Sequence, residues 1–363
     1  MPATSARPQR RQVLGAAAGL ALLSGCASAT WRTPAQGASA SLPAPTPHEG
    51  LWGAAPAASL PGTVEQDLQD PATGLTWRLW VQTPQGPAPA DGHPVLYVLD
   101  GNASFPLAAQ LARNSDARPQ EIRPDSAWVV GIGYVGNAPF HLAERRRDYT
   151  PPPTQGSAQA GTGGANRLLD FLAREVQPRI AQAGPVDAQR QTLWGHSLGG
   201  LLVLHALFTR PSQWSRYAAT SPSVWWEQGQ VLTSAQQFMH AHAHAAQRAF
   251  QLQLQLRAGA LERAHPALPP PTHASAEHQA VLQRRTTGQS QRRLVERTEA
   301  LAQALSALQW PQLCVDMAVY EGLDHGQTLV RGLIDALALA QQPRDVARMV
   351  RTSPASQPST TSP

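Results

Sequence analysis

The chain has 363 residues, of which 42% are hydrophobic, and its formal net charge is +5. That length suits one large domain or two smaller ones and allows a sizeable buried core. Arg7, Arg10 and Arg11 lie ahead of the first apolar run, so the rest of the chain is nearly neutral and does not indicate a nucleic-acid-binding protein. Cys26 and Cys314 are the only cysteines, too few for a disulfide framework or a thiolate metal site.

The first residues have the pattern of an export signal. The arginines are followed by an apolar run, 13–23, which is too short for the roughly 20 residues of a membrane span. Leu23-Ser24-Gly25-Cys26 then resembles the lipobox of bacterial lipoproteins, in which the cysteine becomes the acylated first residue of the mature chain. We therefore predict a lipoprotein signal peptide over 1–25 and lipidation at Cys26. The protein would be exported and membrane-anchored in the cell envelope, facing the periplasm if the source is Gram-negative.

Two alternatives stay open at the N-terminus. Arg10-Arg11 with its neighbours partly resembles a twin-arginine signal, so the export route can be either the general or the twin-arginine one. Ordinary signal cleavage would instead leave a soluble periplasmic protein.

Composition divides the rest of the chain. Residues 26–61 are rich in Ala, Pro and Ser, which is typical of a flexible tether. One folded domain is predicted over 62–343, with a mobile insertion rich in Pro, His, Gln and Arg over 264–293. Residues 344–363 are predicted to be a disordered tail.

Strand patterns alternate with helix patterns along the folded domain. Strands are predicted over 75–83, 93–102, 127–134, 192–194, 217–223, 250–257 and 313–321, and helices over 105–113, 167–183, 201–207, 234–248, 294–308 and 329–339. This alternation predicts an α/β fold with a mostly parallel central sheet.

The chemistry centres on Gly195-His196-Ser197-Leu198-Gly199, a Gly-x-Ser-x-Gly motif between a strand and a helix. In a nucleophile elbow the serine sits on a strained strand-to-helix turn, and the residues two before and two after it must be small. The turn exposes the Ser197 hydroxyl and places the Leu198 N–H at the helix start, where it can bond an oxyanion.

Ser197 needs a base, because a hydroxyl is a weak nucleophile at neutral pH. His325 follows the last predicted strand in a glycine-flanked loop and is the candidate base. Glu262 follows the preceding strand and is the preferred acid, with Asp316 and Asp324 as alternatives. The order serine, acid, histidine is that of α/β hydrolases.

Metal chemistry is not indicated. His240, His242 and His244 lie close in sequence, but on a helix His242 faces away from the other two, and no carboxylate or cysteine completes a ligand set. We expect a solvated helix face there. No metal and no organic cofactor is required for acyl transfer to a serine.

Six ordered motifs resemble the esterase branch of the α/β-hydrolase superfamily, which contains the ferric enterobactin and other catecholate-siderophore esterases and, more distantly, esterase D. They are Leu99-Asp100-Gly101-Asn102, Val130-Gly131-Ile132-Gly133-Tyr134, Arg147-Asp148-Tyr149-Thr150-Pro151, Gly195-His196-Ser197-Leu198-Gly199-Gly200, Ser221-Pro222-Ser223 with Trp225-Trp226, and Asp324-His325-Gly326. The resemblance implies the α/β-hydrolase fold, a three-layer αβα sandwich.

The resemblance also implies the roles of site residues: Ser197 as nucleophile, His325 as base, Glu262 as acid, and the backbone N–H groups of Asn102 and Leu198 as the oxyanion hole. The implied activity is that of a serine esterase acting on an enterobactin-like ferri-siderophore trilactone.

Substrate contacts are expected from Arg147, Tyr149, Trp225 and Trp226. Arg145, Arg146 and Arg147 can attract a trianionic ferric catecholate, and the tryptophans can stack on its catechol rings. An equally weighted alternative is that Arg147 and Asp148 form a structural ion pair and the tryptophans fill the core. The alternative functions are a general carboxylesterase or thioesterase, such as an S-formylglutathione-hydrolase-like enzyme, and a non-catalytic ligand-binding lipoprotein.

Overall fold

The computed structural model describes residues 59–153, 156, 159–242, 251–264 and 291–344, and it is built on an eight-stranded sheet. The strands are β1 (Thr63–Gln69), β2 (Thr76–Gln82), β3 (His93–Leu99), β4 (Trp128–Gly133), β5 (Val186–His196), β6 (Arg216–Thr220), β7 (Leu252–Gly259) and β8 (Leu313–Tyr320). Their order across the sheet is β1-β2-β4-β3-β5-β6-β7-β8. β2 runs antiparallel to both of its neighbours, and all other pairs are parallel, which confirms the predicted mostly parallel sheet.

Helices cover both faces of the sheet. They are α1 (Gly101–Asp116), α2 (Leu142–Tyr149), α3 (Ala165–Phe171), α4 (Gln177–Ala183), α5 (Leu198–Thr209), α6 (Gln230–His242), α7 (Leu294–Ala307) and α8 (His325–Gln341). α1 and α8 pack on one face, and α5, α6 and α7 with their neighbours pack on the other. The predicted three-layer sandwich is therefore confirmed.

The central strands are apolar because both of their faces are covered. Every residue of β3 is buried, and its side chains alternate between the two layers. Tyr97 and Leu99 join the cluster that contains α5, whereas Leu96 and Val98 join the cluster that contains α1 and α8. α5 is apolar around almost its whole circumference, as expected for a helix enclosed by protein.

Two elements have no counterpart in the sequence prediction. β1 is an exposed edge strand that lacks a hydrophobic alternation, and its pairing with β2 is reinforced by Asp67, which accepts hydrogen bonds from Arg78 at 2.6 and 2.9 Å. α2 consists largely of charged residues around Arg145, Arg146 and Arg147, so it carries no apolar periodicity from which a helix could be read.

The prediction that His240, His242 and His244 lie on a solvated helix face is only partly correct. His240 is exposed, but His242 is buried, with its ring centroid 4.4 Å from that of Phe238 and 5.0 Å from that of Trp310. His244 lies outside the described residues. The expectation of solvation is wrong for His242, because this side of α6 packs into the core.

Several predicted segments lie outside the described residues: the signal peptide with Cys26, nearly all of the tether, most of the insertion over 264–293 and nearly all of the C-terminal tail. Within the described ranges, no helix is both long enough and apolar enough to cross a membrane.

The sheet brings the predicted site residues to one edge. Ser197 directly follows β5, Ser221 follows β6, Glu262 comes shortly after β7, and His325 comes shortly after β8. Because these strands are parallel, their carboxyl ends meet at the same edge of the sheet, where open α/β sheets form their binding crevices.

Candidate active site

Ser197 lies on a sharp turn between β5 and α5. Its φ and ψ angles are 60° and −117°, a conformation that non-glycine residues rarely adopt. The Ser197 N–H donates to the Thr220 carbonyl at 3.0 Å, and a Cβ at Gly195 would overlap the Gly199 carbonyl. The backbone of the predicted elbow is therefore held by its neighbours in strained geometry, as is common where a nucleophile must project from a turn.

A hydrogen-bonded line runs from Ser197 through His325 to Glu262. His325 Nε2 lies 3.0 Å from Ser197 Oγ, and His325 Nδ1 lies 2.5 Å from Glu262 Oε1. A carboxylate accepts hydrogen bonds, so Nδ1 carries the proton of the neutral ring and Nε2 presents its lone pair to the serine hydroxyl. This arrangement can remove the Ser197 proton as Oγ attacks a carbonyl carbon.

Hydrogen bonds to both carboxylate oxygens hold Glu262 in place. It ends the short 3-10 turn Ala260–Glu262, and it is 5% exposed. Its Oε2 accepts hydrogen bonds from the Gly259 N–H at 2.7 Å and the Ser221 hydroxyl at 2.6 Å, which leaves Oε1 for His325. These bonds compensate for burying a carboxylate away from water.

The two alternative acids lie elsewhere. Asp324 caps α8, accepting hydrogen bonds from the Gly326 and Gln327 N–H groups at 3.0 Å each. Asp316 Oδ2 lies 2.5 Å from Arg257 Nη2 on the neighbouring strand. Of the three candidates, Glu262 is the one that the structure brings to His325.

Two helix starts flank the nucleophile. Leu198 opens α5 and Asn102 is the second residue of α1, positions whose N–H groups have no partner within their own helix. In the described part of the chain, neither N–H donates to another backbone or side-chain acceptor. Gly199 packs against Leu99, which brings the two helix starts together. Positive helix ends can stabilise an oxyanion formed beside Ser197.

The side chain of Asn102 has a separate structural role. Its Oδ1 accepts the Tyr134 N–H at 2.9 Å, and its Nδ2 donates to the carbonyls of Tyr134 and Gly136 at 2.9 and 3.1 Å. These bonds fasten the start of α1 to the chain leaving β4.

The arginines of α2 differ in their partners and in their burial. Arg145 forms a buried two-point ion pair with Asp100, at 2.9 Å for each bond. Arg147 donates two bonds of 2.7 Å to its neighbour Asp148, whose carboxylate also accepts the indole N–H of Trp77 at 2.9 Å. Arg147 and Asp148 therefore form the ion pair that the alternative interpretation of the sequence predicted.

Contrary to the sequence prediction, the structure does not place Tyr149 where it could contact a substrate. Tyr149 is fully buried, and its hydroxyl accepts the Asp100 N–H at 2.9 Å. Since Asp100 immediately precedes α1, Tyr149 supports the backbone beside Asn102 rather than lining the cleft.

Trp225 and Trp226 are half-buried, with ring centroids 6.2 Å apart. Arg292 lies over the Trp225 ring at 4.6 Å, and Arg146 lies over the Trp226 ring at 5.6 Å. Among the described residues, neither guanidinium has a carboxylate within 4.0 Å. We call these four residues the tryptophan platform. It reaches the elbow through Ser223, whose N–H donates to the Ser197 carbonyl at 3.0 Å.

The sequence prediction groups Arg146 with Arg145 and Arg147 and misses Arg292. Arg146 is not singled out because α2 is not predicted, and consecutive residues on a helix point in different directions. Arg292 fell inside the predicted insertion. A helical projection of 142–149 would have separated the three arginines, but no sequence signal marked Arg292.

Comparisons with known proteins show the family of the chain. A family model described as "Putative esterase" matches residues 71–300. The chain is 33% identical to the ferri-bacillibactin esterase of Bacillus subtilis over 221 residues, which cover 59% of this chain and 75% of that protein. It is 32% identical to the siderophore enterobactin esterase of Emericella nidulans over 268 residues, which cover 70% of this chain and 82% of that protein.

Solved structures are similar as well. The siderophore hydrolase EstB from Aspergillus nidulans has a TM-score of 0.66 at 27% identity, covering 78% of this chain and 96% of that one. The BES protein from Bacillus cereus has a TM-score of 0.65 at 26% identity, covering 80% of this chain and 99% of that one. The chain therefore belongs to the esterase family and is an ester hydrolase with the α/β-hydrolase fold.

Proposed function

We propose that this protein hydrolyses ferri-siderophore trilactones through an acyl-enzyme formed on Ser197. The observation that carries the proposed chemistry is the hydrogen-bonded line from Ser197 through His325 to Glu262, beside two N–H groups at helix starts that have no acceptor among the described residues. The substrate class is supported by the tryptophan platform and by the siderophore esterases among the relatives.

The acylation step follows from the positions of the side chains. Ser197 Oγ attacks the ester carbonyl carbon while His325 Nε2 takes its proton, and the N–H groups of Leu198 and Asn102 stabilise the oxyanion. The tetrahedral intermediate then collapses. The carbon–oxygen bond to the alcohol breaks, and His325 returns the proton to the leaving alkoxide.

Deacylation repeats the sequence with water. His325 removes a proton from a water molecule that attacks the acyl-serine carbonyl, and the same N–H groups hold the second oxyanion. Release of the carboxylic acid restores the Ser197 hydroxyl. Opening a trilactone in this way would convert the ring into a linear chain that no longer pre-organises its three chelating arms, which would weaken their hold on iron.

The platform suits an anionic aromatic ligand. Arg146 and Arg292 carry positive charges that no described carboxylate neutralises, and the half-buried indole rings offer surface for stacking. A ferric tris-catecholate is a bulky trianion with three aromatic rings, so both of its properties would be recognised here.

The first experiment compares substrates on the full-length protein. We expect ferric and iron-free enterobactin to be hydrolysed with a kcat/KM at least about 100-fold above that of p-nitrophenyl butyrate, equivalent to roughly 2.7 kcal/mol of transition-state stabilisation. Hydrolysis of the simple ester alone would make the protein a general carboxylesterase or thioesterase. Binding of the siderophore without hydrolysis or fluorophosphonate labelling would make it a non-catalytic binding protein.

The platform predicts a charge-dependent substrate preference. In a variant with Arg146→Gln and Arg292→Gln, KM for ferric enterobactin should rise roughly 10-fold, because about 1.4 kcal/mol of ionic and cation–π attraction is lost. Hydrolysis of neutral p-nitrophenyl butyrate should stay within about twofold. Steady-state kinetics at two salt concentrations tests this, since the wild-type preference should weaken with salt.

The matched control is Arg179→Gln. Arg179 lies on α4, is largely exposed and pairs with Glu175 at 2.7 Å, so the variant removes one arginine charge without touching the platform. The substrate-binding role of the platform would be refuted by either of two results. One is an equal loss of activity on both substrates in the platform variant, and the other is a KM for ferric enterobactin in that variant equal to the KM of Arg179→Gln.

We further propose that Cys26 is acylated and holds the enzyme in the cell envelope. The support is the lipobox-like Leu23-Ser24-Gly25-Cys26 after a short apolar run. Metabolic labelling with a radioactive fatty acid should mark the wild-type protein and not Cys26→Ser, which should move to the soluble fraction. Equal labelling of both would exclude Cys26 as the acylation site.

A further inference from the structure

Two buried hydroxyl groups lie against the acid and the base of the site. Ser221 follows β6 and Thr328 lies in the first turn of α8, and both side chains are fully buried. Ser221 Oγ donates to Glu262 Oε2 at 2.6 Å and lies 2.8 Å from Thr328 Oγ1. We call Ser221 and Thr328 the hydroxyl pair.

The pair also reaches the backbone of the base. Thr328 Oγ1 lies 2.8 Å from the His325 carbonyl oxygen, and His196 Nε2 lies 2.8 Å from the same oxygen. Burial lowers the pKa of His196 well below its usual value, and the neighbouring His325 lowers it further, so the His196 ring is neutral at neutral pH. A neutral ring that faces a carbonyl through Nε2 carries its proton on that nitrogen.

Backbone geometry holds the hydroxyl pair in place. Ser221 has a φ of 43°, and its N–H donates to the Arg257 carbonyl at 2.7 Å. α8 approaches the end of β6 so closely that a Cβ at Gly332 would overlap Thr220. A left-handed conformation is strained for a non-glycine residue and persists only where its surroundings hold it, often at functional sites.

We propose that Ser221 and Thr328 are positioning residues that hold the Glu262 carboxylate in its hydrogen bond to His325 during ester hydrolysis. The inference rests on the proposed function, because it concerns the same histidine and acid. The single Ser221 hydroxyl proton goes to the carboxylate, so the Ser221–Thr328 bond needs the Thr328 proton. The other acceptor within reach of that proton, the His325 carbonyl, already accepts the N–H of His196, which leaves Thr328 able to donate to Ser221. Chains of hydrogen bonds of this kind strengthen one another in a buried environment.

The charged and titratable groups around His325 restrict how the pair can act. Glu262 bonds it from the turn after β7, the His196 ring lies 4.5 Å away from the end of β5, and Asp324 precedes it at the start of α8. Arg145, from α2, acts electrostatically on His196. Among these groups the hydroxyl pair contacts Glu262 and, through Thr328, His196 at 3.3 Å. Glu262 is the charged member of this set and His196 is neutral, so loss of the Thr328 hydroxyl should change the electrostatics at His325 mainly through Ser221 and the Glu262 carboxylate.

The test is Thr328→Val in the full-length protein, with Thr328→Ser as the conservative variant. A Glu262 carboxylate that receives a weaker hydrogen bond attracts the imidazole proton more strongly. We expect the acid limb of the profile of kcat/KM against pH to move to higher pH by roughly half a unit, about 0.7 kcal/mol. We also expect kcat to fall about 10-fold with KM within about twofold, and Thr328→Ser to restore both values.

The matched control is Thr298→Val. Thr298 is likewise a fully buried helical threonine, and its hydroxyl bonds the Leu294 carbonyl at 2.7 Å in α7, away from the site. If Thr328→Val does not fold, Ser221→Ala removes the donor to Glu262 directly and should move the acid limb in the same direction. A profile and a kcat for Thr328→Val that match those of Thr298→Val would overturn the proposal.

A readout without substrate separates this inference from the proposed function. The His325 N–H that bonds Glu262 should give a low-field proton resonance, which should shift in Thr328→Val and return in Thr328→Ser. If the wild-type protein hydrolyses no ester, the proposed function fails, while an unchanged resonance in Thr328→Val would still overturn the positioning role.

Discussion

Replacing Ser197 by alanine is expected to lower kcat/KM for every ester substrate by about 10⁴- to 10⁶-fold. The substitution removes the atom that forms the acyl-enzyme, and residues that act together with such a nucleophile cannot replace it. His325 would lose its partner at 3.0 Å, but the backbone turn at Ser197, held by the Thr220 carbonyl, would remain. Steady-state hydrolysis and labelling with a fluorophosphonate are the measurements, and labelling should disappear in the variant.

A suitable control is Ser104→Ala. Ser104 is a fully buried serine in α1 whose hydroxyl has no hydrogen-bond partner among the described residues, so its removal should leave activity and labelling unchanged. Residual labelling or hydrolysis above about one hundredth of the wild-type rate in Ser197→Ala would show that another residue is the nucleophile.

Replacing Glu262 by glutamine is expected to lower kcat by roughly 10³- to 10⁴-fold with a small change in KM. The neutral amide no longer stabilises the imidazolium that forms as His325 takes the serine proton, and it can favour the wrong ring tautomer. Because Ser221 and the Gly259 N–H both donate to Glu262 Oε2, and His325 bonds Oε1, the amide NH₂ group of glutamine would face either both of these donors or the ring N–H of His325. Single-turnover kinetics with p-nitrophenyl butyrate measures the acylation step directly.

Asp324→Asn provides the comparison, because Asp324 was an alternative acid and is adjacent to His325 in sequence. Asparagine retains an oxygen that can cap α8, so the variant should fold and keep its activity within about twofold. The reverse pattern, with a large loss in Asp324→Asn and a small one in Glu262→Gln, would reassign the acid.

The parts of the site that could be predicted from sequence are local or follow chain order. The elbow at Ser197 was readable because small residues two positions before and after a serine, between a strand and a helix, are a local steric requirement. Parallel strands place their carboxyl ends at one edge, so residues after successive strands, such as Glu262 and His325, could be expected to meet. The predicted mostly parallel sheet and its flanking helices follow from the same alternation of patterns.

Other features required long-range packing to become visible. β1 has no hydrophobic face and is recognisable as a strand only through its pairing with β2. Tyr149 belongs to a motif that suggested substrate binding, yet the packing of α2 buries it completely. Arg146 and Arg292 lie far apart in sequence, and they become one cationic surface because each stacks on one ring of an adjacent tryptophan pair.

The α/β class, the strained turn at Ser197 and the chain order of the predicted serine, acid and histidine could be predicted from the sequence alone, since each depends on local backbone requirements and on chain order. The folded structure was needed to show that Glu262 rather than Asp324 or Asp316 bonds His325, that Arg146 has no carboxylate partner among the described residues, and that Ser221 and Thr328 lie against the acid. These outcomes depend on distances between groups that are distant in sequence, which the packing of strands and helices sets.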